Sequence, residues 1–300
     1  MENKEIVKEY LEQYMNSPQS ISMRKSCLNH FFRYFGVNKS VFKLTKADIK
    51  KYFVELKNNQ EYSLNTKKNK FRIFRSFILD ITYLYEEKFD KIPQFERKYN
   101  WGDQGHADKK EKEIILLPDD IEKILAHFKK QHFVKYLIFS LYAFTGCRKG
   151  ELQNLRIKGV DLKNRTITTS GKKGKKVYCF DDRLTPELEM FLEERNNIEA
   201  ETDHFFLTIN HKPIALRTFN LWLKPALKSL NLPNKVSIQY FRWSINNNRK
   251  DITKTTNDEC EVLMGHAPSN VNSTYYTRAI KPQERITLYD NNNPYKAIII

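Results

Sequence analysis

Five side chains in the second part of the sequence could together carry out phosphoryl transfer: two guanidinium groups, an ammonium, an imidazole and a phenol. They are Arg148 in FTGCRKGEL, Lys172 in SGKKGKK, Arg242 in QYFRWSI, His266 in LMGHAP and one of the adjacent pair Tyr275 and Tyr276. A phenol has a pKa of about 10, so it is a poor nucleophile unless cations stabilise its phenolate. Because the chain supplies such cations, the ordered set predicts phosphoryl transfer from DNA to a tyrosine. The two tyrosines alone would indicate only surface or packing aromatics.

The charge of the chain also favours a polyanionic partner. The formal net charge is +16 and the isoelectric point is about 9.5, which favours nucleic acid first and an anionic membrane second. The abundance of Lys and Asn is also typical of an AT-rich genome, which weakens this argument. No apolar run approaches the length of a membrane span, and the start, MENKEIVKEY, is polar. We therefore expect a soluble, cytoplasmic protein without a membrane role.

The sequence offers no pattern for a cofactor. Its cysteines are widely scattered, without C-x-x-C spacing or a histidine cluster that would complete a zinc site. They are Cys27, Cys147, Cys179 and Cys260. We expect them to be reduced and mostly buried. The segment SGKKGKK lacks the spacing of a phosphate-binding loop, so we predict no metal and no nucleotide.

Residues 1–90 show the periodicity of four amphipathic helices. The first has its apolar face at Ile6, Tyr10 and Leu11, and Pro18 interrupts the pattern. A second helix is expected to start near Ser20 or Ser22, and a third to be capped by Thr45 with Asp48 in a capping box. The fourth begins near Ser63. We interpret this region as a separate helical domain.

The early turns of the fourth helix carry a run of basic residues. They are Lys67, Lys68, Lys70, Arg72 and Arg75. The run predicts an exposed basic face, which is typical either of an ordinary solvated helix surface or of a surface that binds DNA phosphates.

Residues 91–113 read as a linker, because Pro93, Gly102 and Gly105 interrupt a charged stretch with little apolar periodicity. Trp101 is expected to dock on one of the flanking domains. The second domain, residues 114–300 with a C-terminal tail, begins with a helix at Pro118 and continues with an apolar helix at Phe133–Phe144. A β-hairpin around the basic turn Gly171–Lys176 and further helices follow. The sequence thus predicts a mainly α fold with a small β-sheet (α+β).

These motifs, taken in order, resemble those of the tyrosine recombinases, also called the phage integrase family. TGCRKGELQNL resembles the first active-site box of that family, and SGKKGKKV resembles its β-hairpin lysine segment. LMGHAPSNVNSTYYT resembles the final box, in which Leu-Gly-His precedes a tyrosine by about ten residues. The resemblance covers the whole second domain and implies a catalytic domain, with residues 1–90 fitting the core-binding domain by size and class.

The resemblance implies a role for each matching residue. Arg148 and Arg242 would bind the non-bridging oxygens of the scissile phosphate, for which a planar, permanently charged fork is suited. Lys172 would protonate the leaving 5′ oxygen, with Lys173 and Lys175 as competitors for this role and as DNA contacts. His266 would donate to the phosphate. Glu151 would support the arginine, although a plain helix salt bridge is an equal alternative.

One position departs from the family pattern. The second box is usually His-x-x-Arg, and the residue three before Arg242 is Gln239. Glutamine donates a hydrogen bond but carries no charge and shuttles no proton. Members from archaea and their viruses often vary this position, so the resemblance is compatible with an archaeal or mobile-element type. Either an active enzyme uses the amide there, or a drifted relative only binds DNA.

The implied function is site-specific recombination or integration through a 3′-phosphotyrosyl intermediate, without ATP or metal. A type IB topoisomerase and a catalytically impaired DNA-binding relative are the alternatives. The resemblance also implies double-stranded DNA sites as partners and a homotetramer on paired sites.

Two further expectations concern the end of the sequence. Thr277 matches the Tyr-Thr pairing of the family, which favours Tyr276 over Tyr275 as the nucleophile, although the spacing from His266 commonest in bacterial members would select Tyr275. The terminal segment YKAIII is expected to pack on a neighbouring protomer, with docking on its own domain as the alternative.

Overall fold

The computed structural model describes residues 2–15, 17–102, 114–171, 174–265 and 280–300. The chain divides into two compact units, Met1–Lys109 and Lys110–Ile300, and each unit has its own hydrophobic core. Helices predominate in both units, and the second also contains a small antiparallel sheet. The predicted mainly α fold with a small β-sheet is confirmed.

The first unit is helical and has an aromatic core. Its helices are α1 (Asn3–Glu12), α2 (Pro18–Phe35), α3 (Lys46–Asn58) and α4 (Leu64–Leu84). The rings of Phe31 and Phe74 lie 4.4 Å apart between centroids, and Tyr52 packs edge-on against both. Aromatic pairs of this kind stabilise beyond the area they bury, so the core joins α2, α3 and α4.

Helix starts in this unit follow local capping chemistry. The Thr45 hydroxyl accepts a hydrogen bond from the Asp48 amide at 3.2 Å, and the Asp48 carboxylate accepts one from the Thr45 amide at 3.0 Å. This confirms the predicted capping box. The expected start of α2 near Ser20 or Ser22 was wrong, because Pro18 is the first residue of the helix rather than a break. Proline suits this position, where its missing N–H would have no intrahelical partner.

The first residues of the sequence-based linker pack on the first unit. Phe95, Tyr99 and Trp101 lie against its core, with the Trp101 ring 4.7 Å from that of Phe53. Residues 103–113 of that linker lie outside the described residues. The described part of the linker, which shows no apolar periodicity, is therefore anchored to the first unit by its aromatic side chains.

The second unit is built around a buried apolar helix. Its first helices are α5 (Pro118–Gln131), α6 (Phe133–Thr145) and α7 (Lys149–Gln153), and later ones are α8 (Thr185–Asn196), α9 (Leu216–Ser229), α10 (Ile238–Ile252), α11 (Asn257–Leu263) and α12 (Pro282–Asn291). Every residue of α6 from Tyr136 to Thr145 is buried. Helix α6 is therefore the centre of the unit, as its apolar sequence predicted.

A three-stranded antiparallel sheet lies between α7 and α8, with strands β1 (Val160–Asp161), β2 (Thr166–Gly171) and β3 (Gly174–Cys179). The pairing of Gly171 with Gly174 closes the β2–β3 hairpin. The sequence predicted this hairpin but placed Gly171–Lys176 in its turn. Lys175 and Lys176 are instead paired strand residues. The short β1 strand was not predicted.

The end of the chain docks on its own unit. Tyr295 and Ile298 are buried in the core of the second unit, and the Arg183 guanidinium donates to their carbonyl oxygens at 2.9 and 2.6 Å. Helix α12 is tied to the turn before β2, because Arg165 donates to the Asp290 carboxylate. The expectation that this segment packs on a neighbouring protomer was wrong for its buried residues: the carbonyl groups and the apolar side chains find partners in the same chain.

All four cysteines are buried and free, which confirms their expected state. Within the part of the chain that the structure describes, no helix has the length and apolarity needed to cross a membrane. The same residues contain no group of three or more His, Cys, Asp or Glu side chains placed to hold a metal.

Gly146, which ends α6, is constrained both by its backbone conformation and by its neighbours. It has a φ of +63°, and a Cβ added there would lie 2.8 Å from Cγ2 of Ile245. We expect Gly146→Ala to lower the free energy of unfolding of the second unit by about 1–3 kcal/mol, through backbone strain and overpacking. Urea unfolding followed by circular dichroism measures this loss.

Gly150 in α7 provides the matched control. A Cβ there meets nothing within 4 Å, and alanine is the better helix former. Gly150→Ala should be as stable as the parent or slightly more so. Equal stability of the two alanine variants would show that the turn after α6 is less constrained than its geometry implies.

Candidate active site

The turn after α6 places Arg148 immediately before α7. Gly146 adopts the left-handed conformation that ends α6, and the Cys147 amide donates to the Thr145 hydroxyl at 3.2 Å. Arg148 is then the N-cap residue of α7. Its side chain is 45% exposed, so this turn presents a guanidinium group that remains accessible to solvent.

Arg242, on α10, stabilises this turn through hydrogen bonds to main-chain carbonyl groups. Its guanidinium donates to the carbonyl oxygen of Gly146 at 2.5 Å and to that of Met264 at 2.9 Å. Gly146 lies two residues before Arg148, and Met264 follows the last residue of α11. The side chain is buried, and a buried charge is tolerated only when it is well hydrogen-bonded. Arg242 therefore joins the ends of α6 and α11.

Glu151, on α7, is buried and accepts several hydrogen bonds. Its carboxylate accepts from the Arg148 amide at 2.8 Å, from Arg148 Nη1 at 3.0 Å and from the Tyr178 hydroxyl at 2.6 Å. Lys176 Nζ lies 3.5 Å from Oε1 of the same carboxylate. Glu151 is thus far more than a plain helix salt bridge, and the contacts agree with a supporting role for Arg148.

The environment of Glu151 keeps the carboxyl ionised. Burial, the largest influence on its pKa, acts to raise it. Hydrogen bonds from Tyr178 and Arg148 and the charge of Lys176 act in the opposite direction, and the net pKa is lowered. The carboxylate is therefore charged at neutral pH despite its burial.

Lys176 and Tyr178 were missed as site residues by sequence reasoning. They lie two positions apart on β3, and both reach Glu151. The pKa of Lys176 is lowered, first by burial and then by repulsion from Arg148 and Arg242, against the opposing pull of Glu151. Burial raises the pKa of Tyr178, and its hydrogen bond to Glu151 adds to this. The alternation of side chains in GKKVYC was the signal that could have found them.

Of the remaining predicted site residues, the structure describes only some. Gln239 is half-buried on α10, one turn before Arg242, a spacing that sets both residues on one side of the helix. Lys175 is exposed on β3, on the strand face opposite to Lys176 and Tyr178. Five predicted residues lie outside the described residues: Lys172, Lys173, His266, Tyr275 and Tyr276.

The basic run of α4 is only partly exposed. Lys68, Arg72 and Arg75 face solvent. The expected exposure of Lys67 and Lys70 was wrong, because both are less than 10% exposed. Lys67 Nζ donates to the Lys57 carbonyl oxygen at 2.9 Å, and Lys70 Nζ lies 4.7 Å from the centroid of the Tyr62 ring. Both ammonium groups therefore interact with residues of the first unit.

Comparison with known proteins establishes the family. The sequence model described as the Phage integrase family matches residues 115–281, which is more than half of the chain. This chain belongs to the phage integrase family. The match spans the positions of both arginines, the hairpin lysines, His266 and the two tyrosines. No curated protein sequence matches the chain.

Solved structures share the fold of this phage integrase family member. The Tn1549 transposon integrase in complex with transposon right-end DNA aligns with a TM-score of 0.70 at 16% identity, over 97% of this chain and 99% of that one. The XerH site-specific recombinase bound to its difH substrate aligns with a TM-score of 0.65 at 16% identity, over 94% and 83% of the two chains. Both alignments include the helical first unit.

Family membership settles the class of reaction. Tyrosine recombinases of the phage integrase family break and rejoin DNA, and this chain is such an enzyme, a site-specific recombinase or integrase. None of the matches supports the alternatives of a type IB topoisomerase or of a catalytically impaired relative.

The lowered pKa of Glu151 predicts a pH-dependent contribution to stability. A carboxyl whose pKa is lower in the folded than in the unfolded state stabilises above the unfolded value, and this contribution is lost as the pH falls through the folded value. We expect Glu151→Gln to cost about 1.5–3 kcal/mol at pH 7, the usual value for a hydrogen bond to a charged group. The difference from the parent should shrink as the pH falls below the ordinary Glu pKa of 4.5.

Urea unfolding at several pH values measures this difference. Glu194→Gln is the control, because Glu194 is exposed on α8 and the same substitution there should change stability little at any pH. A Glu151→Gln penalty that stays constant from pH 7 to pH 4 would show that the charge of Glu151 contributes nothing.

Proposed function

We propose that Arg148 and Arg242 bind the scissile phosphate while a tyrosine from the segment after α11 attacks it. The tyrosine oxygen forms a bond to phosphorus as the bond from phosphorus to the 5′ oxygen breaks, which leaves a 3′-phosphotyrosyl link and a free 5′ hydroxyl. Attack by a 5′ hydroxyl of another strand reverses the step. Since the phosphodiester energy stays in the covalent link, the exchange needs no ATP.

The observation that carries this proposal is the cluster of cations around the turn after α6. Arg242 donates to Gly146, two residues before Arg148, and burial first, with repulsion from both arginines second, lowers the pKa of Lys176. Such a fixed positive site suits the charge that develops on a phosphate in the transition state. Arg148 has a well-defined anchor in Glu151 and keeps nearly half of its side chain exposed, so a phosphate oxygen can reach it.

We propose Lys172 as the acid that protonates the leaving 5′ oxygen. Lys173 remains a competitor in the same turn. The placement of Lys175 on the strand face away from Glu151 argues against it. This role requires a lysine whose pKa is lowered. In the same hairpin, burial first and repulsion from Arg148 and Arg242 second lower the pKa of Lys176.

Two further donors complete the proposed phosphate site. His266 would donate a hydrogen bond to the phosphate. Gln239 would donate its amide N–H where relatives use histidine, which supplies a hydrogen bond but no proton transfer. Its position one turn before Arg242 on α10 supports this assignment.

We further propose double-stranded DNA sites as the partners, a homotetramer on two paired sites as the active assembly, and the cytoplasm as the location. The helical first unit would then be the core-binding domain. The DNA complexes of the Tn1549 integrase and XerH support DNA binding. The net charge of +16 supports a large electrostatic share in it.

The nucleophile is proposed to be Tyr276. Tyr276→Phe should abolish the covalent adduct and Tyr275→Phe should preserve it, because one scissile phosphate accepts only one phenol oxygen and Thr277 follows Tyr276 as in the Tyr-Thr pairing of the family. The attachment site is first mapped by sequencing the DNA that remains linked to the parent protein after denaturation. Nicked duplexes carrying that site then trap the adduct on a denaturing gel.

Each tyrosine variant is the matched control of the other, because both lose one hydroxyl group at adjacent positions. An adduct from Tyr276→Phe but not from Tyr275→Phe would move the nucleophile by one residue. Adducts from both variants, or none from the parent protein, would contradict the proposed mechanism.

The exposed basic face of α4 is proposed to bind DNA phosphates. Changing Lys68, Arg72 and Arg75 together to alanine should weaken binding to all duplexes and reduce the log–log salt slope by about 0.9 for each phosphate that is no longer neutralised. Fluorescence anisotropy at several salt concentrations measures both quantities. Cleavage of DNA that is already bound should stay nearly unchanged.

A control variant removes the same charge from another helix of the first unit. Its substitutions are Lys46→Ala, Lys50→Ala and Lys51→Ala, all at exposed positions of α3. If this variant lost as much affinity and salt dependence as the α4 variant, net charge rather than the α4 face would explain the binding.

A further inference from the structure

We propose that Tyr178 is a positioning residue for DNA cleavage, which acts through Glu151 on Arg148 and through its ring on Gly265. The inference rests on the proposed phosphate-binding role of Arg148. It assigns a function to a side chain that neither binds the phosphate nor belongs to the motifs discussed so far.

The first contact is the hydrogen bond to Glu151. The Tyr178 hydroxyl donates to Oε2 of Glu151 at 2.6 Å, the same oxygen that accepts the Arg148 amide at 2.8 Å. The other oxygen accepts Nη1 of Arg148 at 3.0 Å. The carboxylate thus holds both the backbone and the guanidinium of Arg148, and Tyr178 fixes the orientation of that carboxylate.

The second contact is between the Tyr178 ring and the chain after α11. Gly265 has a φ of +60°. A Cβ added there would lie 3.0–3.1 Å from three atoms of Tyr178, namely two ring carbons and the hydroxyl oxygen. Only a glycine fits this approach without displacement of the tyrosine. Since Gly265 directly precedes His266, the ring supports one end of the segment that also contains the two tyrosines.

Tyr178 is rigidly held on β3. It is 1% exposed, and its backbone pairs with Ile167 of β2. Lys176 lies two residues earlier on the same face and forms an ion pair with Glu151. The two side chains therefore attach Glu151 to the sheet, while the carboxylate attaches Arg148 to α7.

The hydroxyl of Tyr178 also controls the charge of Glu151. Among the residues that the structure describes, the titratable or charged side chains that act on this carboxyl come from α6, the turn after it and β3. They are Tyr142, Cys147, Arg148, Lys176 and Tyr178. Burial pushes the pKa of Glu151 upward, and the largest opposing contribution is the Tyr178 hydrogen bond. Without that hydroxyl, the pKa of Glu151 should rise.

Tyr178→Phe tests the role with little change of volume. We expect adduct formation on the nicked substrate to slow by about tenfold or more, the equivalent of one lost hydrogen bond to a charged group, with unchanged DNA affinity. The acid limb of the rate–pH profile should move to higher pH, because Glu151 then loses its charge at a higher pH. A purely structural tyrosine would not move this limb.

Tyr289→Phe is the matched control. Tyr289 is equally buried in the same unit, and its hydroxyl has no hydrogen-bond partner among the residues that the structure describes. This variant should keep the parental rate and pH profile. A parental rate and pH profile for Tyr178→Phe as well would overturn the inference while the parent protein still forms its adduct. Failure of the parent protein to form any adduct would instead contradict the proposed function.

A double-mutant cycle shows whether Tyr178 acts through Glu151. If it does, Glu151→Gln combined with Tyr178→Phe should cleave no more slowly than Glu151→Gln alone. Fully additive losses would overturn the route through Glu151.

A second variant covers the case in which Tyr178→Phe is too unstable to assay. Replacement of Tyr178 alone by 3-fluorotyrosine keeps the hydroxyl, nearly preserves the shape and makes the phenol a stronger donor. The acid limb should then move to lower pH. A limb that stays at its parental position would overturn the inference.

Discussion

The candidate active site depends on the two hydrogen bonds that Arg242 donates to main-chain carbonyl groups. A buried guanidinium loses its water shell, which is unfavourable unless acceptors replace the water. Here the acceptors are the carbonyl oxygens of Gly146 and Met264, and both lie where a helix has just ended and its last carbonyls lack intrahelical partners. One side chain of α10 thus satisfies the ends of α6 and α11 and sets the position of the residues that follow each.

Arg249 reinforces this arrangement two turns further along α10. It is fully buried, its Nη1 lies 3.4 Å from the sulfur of Met264, and its guanidinium lies 5.8 Å from the centre of the Tyr289 ring. Burial lowers its pKa, and within the described part of the chain Nε and Nη2 have no hydrogen-bond partner. Met264 is therefore held through its carbonyl group by Arg242 and contacted at its sulfur by Arg249. The charge of Arg249 is only partly satisfied by hydrogen bonds.

Much of the fold could be predicted because local rules govern it. The capping box of α3 and the apolar run of α6 each follow from a few neighbouring residues. Arg148, Arg242 and Glu151 were predicted as site residues by type and spacing. The structure brings all three to the turn after α6, through the contacts of Glu151 with Arg148 and of Arg242 with Gly146. What the sequence could not show is which side chain faces which across the unit. Lys67 looked exposed because a lysine usually is, and only the position of the Lys57 carbonyl group explains its burial. Tyr178 was missed because its partner lies 27 residues earlier in the sequence.

The register of the β2–β3 hairpin limits how this part of the chain can change in length. Lys176 and Tyr178 reach Glu151 because they occupy alternate positions of β3, and their neighbours Lys175 and Val177 occupy the others. Insertion of a single residue between Gly174 and Lys175 would exchange the two sets and turn Lys175 and Val177 toward the carboxylate. Insertions between Gly171 and Gly174 leave the pairing intact. Natural length variation in relatives with this arrangement should therefore be confined to the turn, or occur in β3 by two residues at a time.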